Sequence, residues 1–273
     1  MISRAERTGN YAVLVLFAVI AVFPLLAIIL VALQKPEDLA TGFSLPRSIS
    51  FGNFAEAWQE GHFATYLRSS AIVSLSVLAM STLVSILAGY AFGTMRFAGS
   101  TVLFYVLILG LMVPQEATIV PLYYDLRGLH LTDTYWALIL PQVASSVAFG
   151  TFWMRAFFRS TPRSLLEAAR IDGARPWTVL WRILVPFGRP AILTMMVLVF
   201  MWTWNEFLLA LVMVSKESLR TAPLGLAFFQ GQHTAQFTLL AAGAVIVAAP
   251  VVVVYVFLQR HFIRGMLSGA VKG

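Results

Sequence analysis

Glu116 and Glu206 are the only acids inside the long apolar stretches of this 273-residue chain. Each has polar or aromatic company: Gln115 beside Glu116, and Trp202, Trp204 and Asn205 just ahead of Glu206. Such groups either hydrogen-bond and stack on a ligand or tie helices together. No nucleophile–base arrangement, serine-based motif or aspartate pair stands out around them. His62, His130, His233 and His261 are scattered, with no H-E-x-x-H pair, so no metal site is expected. The absence of cysteine excludes disulfides and thiolate ligands. No G-x-x-x-x-G-K-[ST] occurs and none of the three lysines follows a glycine, so the chain cannot hold a nucleotide in a P-loop. These residues predict a non-catalytic chain with no cofactor of its own.

The elements that carry them are membrane helices. Hydrophobic residues make up 59% of the chain and charged residues 11%, against about 25% charged in an ordinary soluble domain. Residues 12–33, 69–92 and 237–258 run for 22, 24 and 22 residues without a charge. At about 1.5 Å per residue, each exceeds roughly 30 Å of bilayer hydrocarbon. Residues 101–120, 135–154 and 191–214 complete six spans, interrupted by Pro114 and Glu116, by Pro141, and by Glu206. Continuous rather than alternating runs predict helices and not a barrel. Counted from Thr101 and Ala191, Glu116 and Glu206 lie about 22 Å deep. A carboxylate facing lipid costs at least about 2.5–3.5 kcal/mol, so both are expected to face protein or a water-filled cavity. Ser81, Ser85 and Gly89, four residues apart on span 2, suit close approach of another helix. Residues 34–67 form an external loop, with a short helix over 51–58 either on the membrane surface or packed within the loop.

The formal net charge is +7, and its distribution carries the information. With the amino terminus inside, thirteen of the nineteen basic residues fall in inside segments and six in outside segments. The bias predicts both termini in the cytoplasm. A basic membrane face accounts for the charge without nucleic acid. The first span is too long for a secretory signal core, and no small-x-small cleavage site follows closely, so it is expected to stay.

The largest inside segment, 157–190, is a polar, basic island. Ser164 and Glu167 have capping-box spacing. Gly173 suits a left-handed helix end, Pro176 a first helical turn, and Pro186 a helix stop. The spacing predicts a helix-turn-helix, with Ala168 and Ala169 allowing close approach of a partner and Trp177, Leu180 and Ile183 near one face.

Glu167-Ala168-Ala169-Arg170-Ile171-Asp172-Gly173, followed by Ile183-Leu184-Val185-Pro186, resembles the EAA loop of ABC importer permeases, E-A-A-x3-G-x9-I-x-L-P. Val185 is the one departure, where that family has Leu. The match is closest to the carbohydrate-uptake, maltose-permease-like branch. Pro114-Gln115-Glu116, Ile119-Val120-Pro121-Leu122-Tyr123, the run from Thr134 to Pro141, Trp204-Asn205-Glu206-Phe207 and the stretch from Phe262 to Gly273 extend it over most of residues 65–273.

The resemblance implies an all-α integral membrane protein with six transmembrane helices, a type I importer permease fold and a cytoplasmic helical coupling loop. It implies residues 1–67 as amino-terminal span and external loop, and 68–273 as permease core, with the coupling loop at 157–190. Glu167, Ala168, Ala169, Asp172, Gly173 and Pro186 would couple to a cytoplasmic ATPase. Gly269, Lys272 and Gly273 would add a carboxy-terminal contact. Gln115, Glu116, Trp202, Trp204, Asn205 and Glu206 would line a sugar pathway or tie spans together. The implied partners are a second permease, two ATP-binding cassette subunits that hold ATP and Mg, and an extracytoplasmic binding protein. The implied location is a bacterial or archaeal cytoplasmic membrane. Two other readings stand beside it: a permease for glycerol phosphate or another non-sugar solute, and a self-contained secondary transporter. No internal repeat supports the latter.

Overall fold

The computed structural model describes residues 4–35, 48–232 and 236–270, without the side chains of Ala5, Arg163, Arg170 and residues 260–270. Among the described residues, regular structure is wholly helical: α1 (Arg4–Ala32), α2 (Gly52–Glu60), α3 (Phe63–Thr94), α4 (Ser100–Met112), α5 (Gln115–Gly128), α6 (Tyr135–Ser160), α7 (Arg163–Ile171), α8 (Pro176–Thr178), α9 (Val185–Phe187), α10 (Arg189–Trp204), α11 (Leu208–Met213), α12 (Ala222–Gln232) and α13 (Phe237–Ala270). A π-helical stretch, Val179–Leu184, joins α8 to α9. Among the described residues four helices are long and apolar enough to cross a membrane, or up to six spans if each bent pair is one.

Packing divides the chain into two compact units, Met1–Ala64 with Gly225–Pro250, and Thr65–Leu224 with Val251–Gly273. In the first, α1 leaves its apolar side chains from Tyr11 to Ile29 40–65% exposed, a surface suited to lipid or a neighbouring chain. Its carboxy-terminal end is pinned. Asn53 of α2 is buried and donates from Nδ2 to the carbonyls of Ala32 (2.8 Å) and Gln34 (2.7 Å). These are carbonyls that a helix end leaves without an internal partner. The helix expected over 51–58 therefore forms, as Gly52–Glu60, tied to the end of α1 by Asn53, with Ala57 also buried. Residues 36–47 of the expected external loop lie outside the described residues.

In the second unit, α3 and α6 cross in close contact. A Cβ built on Gly150 meets Ser85 Oγ, one on Gly89 lies 2.5 Å from Met154 Cβ, and one on Gly93 lies 3.0 Å from Phe158 Cβ. Positions 85, 89 and 93 thus meet 150, 154 and 158, rising together, so the two helices run parallel. The small-residue stripe is this crossing. The helix of span 2 begins at Phe63, six residues before Ser69, and its first turns are held by Ser69 and Ser70, whose hydroxyls bond Ser218 O and Ala222 N.

Two expected spans are not straight. α4 and α5 meet at 100°. Val113 and Pro114 are extended there (ψ 119° and 130°), as a proline imposes on the residue before it. α4 alone is only 13 residues, about 20 Å by helical rise. Residues 101–120 therefore do not form one continuous helix, and a depth for Glu116 measured along it does not hold. Span 5 stops at Trp204, breaks over Asn205–Phe207, and resumes as α11. α11 packs on α5 and α6.

Candidate functional site

α7 is amphipathic in a specific sense. Ser164, Glu167, Ala168 and Ile171, at i, i+3, i+4 and i+7, are exposed, while Leu165 and Leu166 are half-buried and Ala169 is 5% exposed. Ile171 is 86% exposed. Its side chain makes no use of the core that Leu166 and Ala169 enter on the other face of the same helix. Ala169 belongs to the hydrophobic core of its own chain, so of the alanine pair only Ala168 is free for close approach to a partner.

The turn after α7 follows the glycine prediction. Gly173 has φ +72°, Asp172 N donates to Ala168 O (3.0 Å) and Ala174 N to Ala169 O (2.9 Å). A left-handed residue closing these bonds favours glycine. Asp172 and Gly173 are exposed at the tip. The capping box does not form as expected: α7 starts at Arg163, which places Ser164 inside the first turn.

Past the tip, Pro176 occupies the first helical turn. Pro186 does not end the helix. The π-helical stretch Val179–Leu184 precedes it, α9 continues to Phe187, and Gly188 N bonds Leu184 O (2.7 Å). The wider i→i+5 pattern absorbs the N–H that proline lacks. Its altered register also separates the expected face: Leu180 is buried with Val179 and Leu184, while Trp177 is 64% exposed and rests edge-on against Trp181 at 5.6 Å. Gly188 then turns the chain by 76° into α10, with Phe157 packed where a Cβ would stand.

This helix-turn-helix is fixed to the bundle. Leu166, Ala169, Val179, Leu180 and Leu184 enter the core that contains Ile86, Met154, Phe158 and Met195. Tyr90 OH donates to Pro176 O (3.3 Å) and its ring meets Phe158 edge-on. Trp153 Nε1 donates to Ala191 O (3.0 Å), linking α6 to α10.

The pathway candidates separate into two groups. Gln115 and Glu116 sit exposed on the first turn of α5, just past the Pro114 bend. Trp202 is 53% exposed and edge-on to Phe149 at 4.7 Å. These three remain open to a ligand. Trp204 is buried against Phe200. Asn205 Nδ2 donates to Met201 O (2.7 Å), and Glu206 Oε1 accepts the Leu209 amide, capping α11. The polar groups of Asn205 and Glu206 thus serve the helix break. Of the carboxy-terminal candidates, Gly269 lies in the last turn of α13, and Lys272 and Gly273 lie outside the described residues.

One clamp had no sequence expectation. Asp133 has φ +56°, accepts the Ser215 amide (2.6 Å) and the Lys216 amide (3.0 Å) on Oδ1, and donates its own amide to Met213 O (3.1 Å). It fastens the α5–α6 turn to the end of α11. An aspartate two residues before the start of α6, a residue type tolerant of positive φ, is the only signal the sequence offers. The Ser215 bond first, then the Lys216 bond, hold its carboxyl below the usual aspartate range. A depressed folded-state pKa means that the contribution is present above the unfolded pKa and lost as pH falls through the folded one. Hydrogen exchange over 214–219 is therefore expected to stay slow, after correction for intrinsic rates, above the ordinary aspartate range, to quicken progressively as pH falls through that range, and to reach its limit only in stronger acid, below the folded-state pKa. Asp133→Asn is expected to accelerate it severalfold already at neutral pH.

Residues 81–268 match the family described as binding-protein-dependent transport system inner membrane component. The chain is 34% identical over 268 residues to the probable ABC transporter permease protein YurM of Bacillus subtilis, covering 98% of this chain and 89% of that one. It is 33% identical to the arabinooligosaccharides transport system permease protein AraQ of Halalkalibacterium halodurans, covering 94% and 93%. It is 31% identical to the trehalose transport system permease protein SugB of Mycobacterium tuberculosis, covering 98% and 99%. Its fold matches a chain of a bacterial ABC transporter involved in import of the acidic polysaccharide alginate, with a TM-score of 0.82 at 24% identity over 96% of this chain and 99% of that one. A multi-pass helical chain with this loop and these relatives belongs to the binding-protein-dependent transport system inner membrane components, as a non-catalytic permease subunit of an ABC importer.

Proposed function

We propose that this permease imports a sugar or oligosaccharide, handed over by an extracytoplasmic binding protein and driven by ATP hydrolysis in two cytoplasmic ATP-binding cassette subunits. It pairs with a second, homologous permease. The observation that carries the coupling role is the outward face of α7, with Ile171 86% exposed on a helix whose other face is locked into the bundle. Sugars are supported by the relatives named for arabinooligosaccharides and trehalose.

In this reading α7 lies on the cytoplasmic side, both termini are cytoplasmic, and the membrane is a bacterial or archaeal cytoplasmic membrane. Residues 1–67 are the amino-terminal span and external loop, and 68–273 the permease core. Glu167, Ala168, Ile171, Asp172 and Gly173 seat in the ATPase, while Ala169 and the π-helical stretch before Pro186 hold that seat rigid. ATP and Mg reside on the partner. When the ATPases close, they push α7. Because Leu166, Ala169, Val179, Leu180 and Leu184 are packed into the core, the push passes to α3, α6 and α10 as a body. Gly269, Lys272 and Gly273 add a second contact. Gln115, Glu116 and Trp202, at the broken spans, meet the solute.

The test is gentle co-purification of the tagged chain from native membranes, with mass spectrometry of its companions and an ATPase assay with candidate sugars. A second permease and an ATPase are expected, with activity raised by one sugar together with its binding protein. A chain that purifies alone and transports in liposomes without ATP would sink the proposal.

A further inference from the structure

At the end of the bundle that carries α7, an open cavity of about 1160 Å³ lies between the ends of α3 and α6, the start of α4 and the inner side of the coupling loop. Among the described residues, Arg96, Arg155 and Arg159 line it together with Tyr90 and Thr101, and Glu167 is the one acid in its wall. Arg155 is held in place without a carboxylate. Its Nε donates to Phe92 O (3.3 Å), and its guanidinium carbon lies 3.7 Å from the centre of the Phe104 ring. Arg159 and Arg96 are exposed. With Nε on the Phe92 carbonyl and the guanidinium carbon over the Phe104 ring, the terminal nitrogens are the donors left to meet a phosphate.

The rest of α4 names the ligand. Beyond Thr101, Val102, Leu103, Tyr105 and Val106 are 55–66% exposed along a helix with no charge. A basic cavity at the foot of a bare apolar helix joins a phosphate site to an acyl-chain wall. A free phosphate would use only the first of these. We infer that this cavity binds the headgroup of an anionic phospholipid, with the acyl chains running along α4. Three arginines against one glutamate leave the site cationic, and basic pockets between membrane helices attract anionic headgroups. Because Glu167 shares the wall, a seated lipid touches the root of the coupling helix. The leaflet, cytoplasmic, rests on the orientation proposed above; the binding itself does not.

The experiment uses the full chain, with whatever subunits travel with it, in nanodiscs of equimolar phosphatidylglycerol and phosphatidylcholine, so that both leaflets are alike. Lipids retained after extraction are identified by native mass spectrometry. Preferential retention of phosphatidylglycerol is expected. Arg159→Gln and Arg96→Gln, both at exposed positions, should each weaken it about fivefold, from about 1 kcal/mol per basic residue. Arg155→Gln should do the same, and Arg155→Lys should keep most of it. Arg127→Gln, in the last turn of α5, should change nothing, and millimolar inorganic phosphate should not displace the lipid. Equal retention of the two lipids, unchanged retention in Arg159→Gln and Arg96→Gln, or displacement by inorganic phosphate would each overturn the inference. Topology is read separately by labelling the termini, so a wrong orientation and a wrong ligand give different results.

Discussion

Ile171→Asp and Glu167→Lys are each expected to reduce ATP-driven uptake to background while the permease remains folded in the membrane. Both side chains point outward from α7, so neither substitution opens a cavity or buries a charge within the chain. What they change is the exposed face of α7 proposed to meet the ATPase, Glu167 also bordering the basic cavity beside it. An apolar anchor at the centre of an interface contributes about 2 kcal/mol or more, and losing it weakens docking about thirtyfold. Asp at position 171 adds the cost of desolvating a charge in a dry contact. Glu167→Lys reverses the charge one turn earlier on the same face. The two variants should therefore separate two quantities that unfolding would lower together: the amount of permease in the membrane, unchanged, and ATPase recovered with it, largely lost. Ser164→Ala, on the same face but removing a single hydroxyl, should transport nearly normally. Wild-type uptake by both Ile171→Asp and Glu167→Lys would remove α7 from the coupling path.

The helix over the coupling loop and its closing glycine were legible because capping, turn chemistry and helical periodicity are local properties, although Ile171 was not singled out by the sequence. Ser164, Glu167, Ala168 and Ile171 share a face wherever the helix is placed. The same holds for Ser81, Ser85 and Gly89, whose spacing announced a close helix crossing. Other features depend on what happens between distant segments. Ala168 and Ala169 are identical as residues, and only the position of the core decides that one faces a partner and the other is buried. Pro186 reads as a helix stop, yet a π-helical stretch six residues long carries the chain past it. That outcome depends on Val179, Leu180 and Leu184 all finding buried sites, which tertiary packing settles. Glu206 reads as a membrane carboxylate in need of a ligand. The break after Trp204 exposes the Leu209 amide, and the carboxylate caps it, a local solution that is visible only once the break is known. Asn53 and Asp133 act across 19 to 21 and across 82 to 83 residues of sequence, and no spacing rule reaches that far.

Gly89→Leu is expected to remove folded permease from the membrane, and Gly89→Ala to lower its thermal stability. The sign of the alanine result is the informative part. In an exposed helix interior, Gly→Ala stabilises by about 1 kcal/mol, because alanine loses less backbone entropy. At Gly89 the added Cβ would stand 2.5 Å from Met154 Cβ and 3.0 Å from the Arg155 backbone nitrogen. Neither is the free end of a flexible side chain, so α3 and α6 must separate. Overpacking of this kind costs about 1–3 kcal/mol, which exceeds the propensity gain. Leucine at the same point exceeds what a shift of the two helices can absorb. It also loosens Phe158 and Tyr90 one turn along, which hold the coupling loop through Pro176. Gly110 is the matched comparison: it lies in α4 with nothing within 4 Å of a built Cβ, so Gly110→Ala should raise or leave unchanged the temperature at which the detergent-extracted chain aggregates. If Gly89→Ala behaves like Gly110→Ala, the α3–α6 contact is not what holds the core, and the rigid transmission from α7 loses its footing.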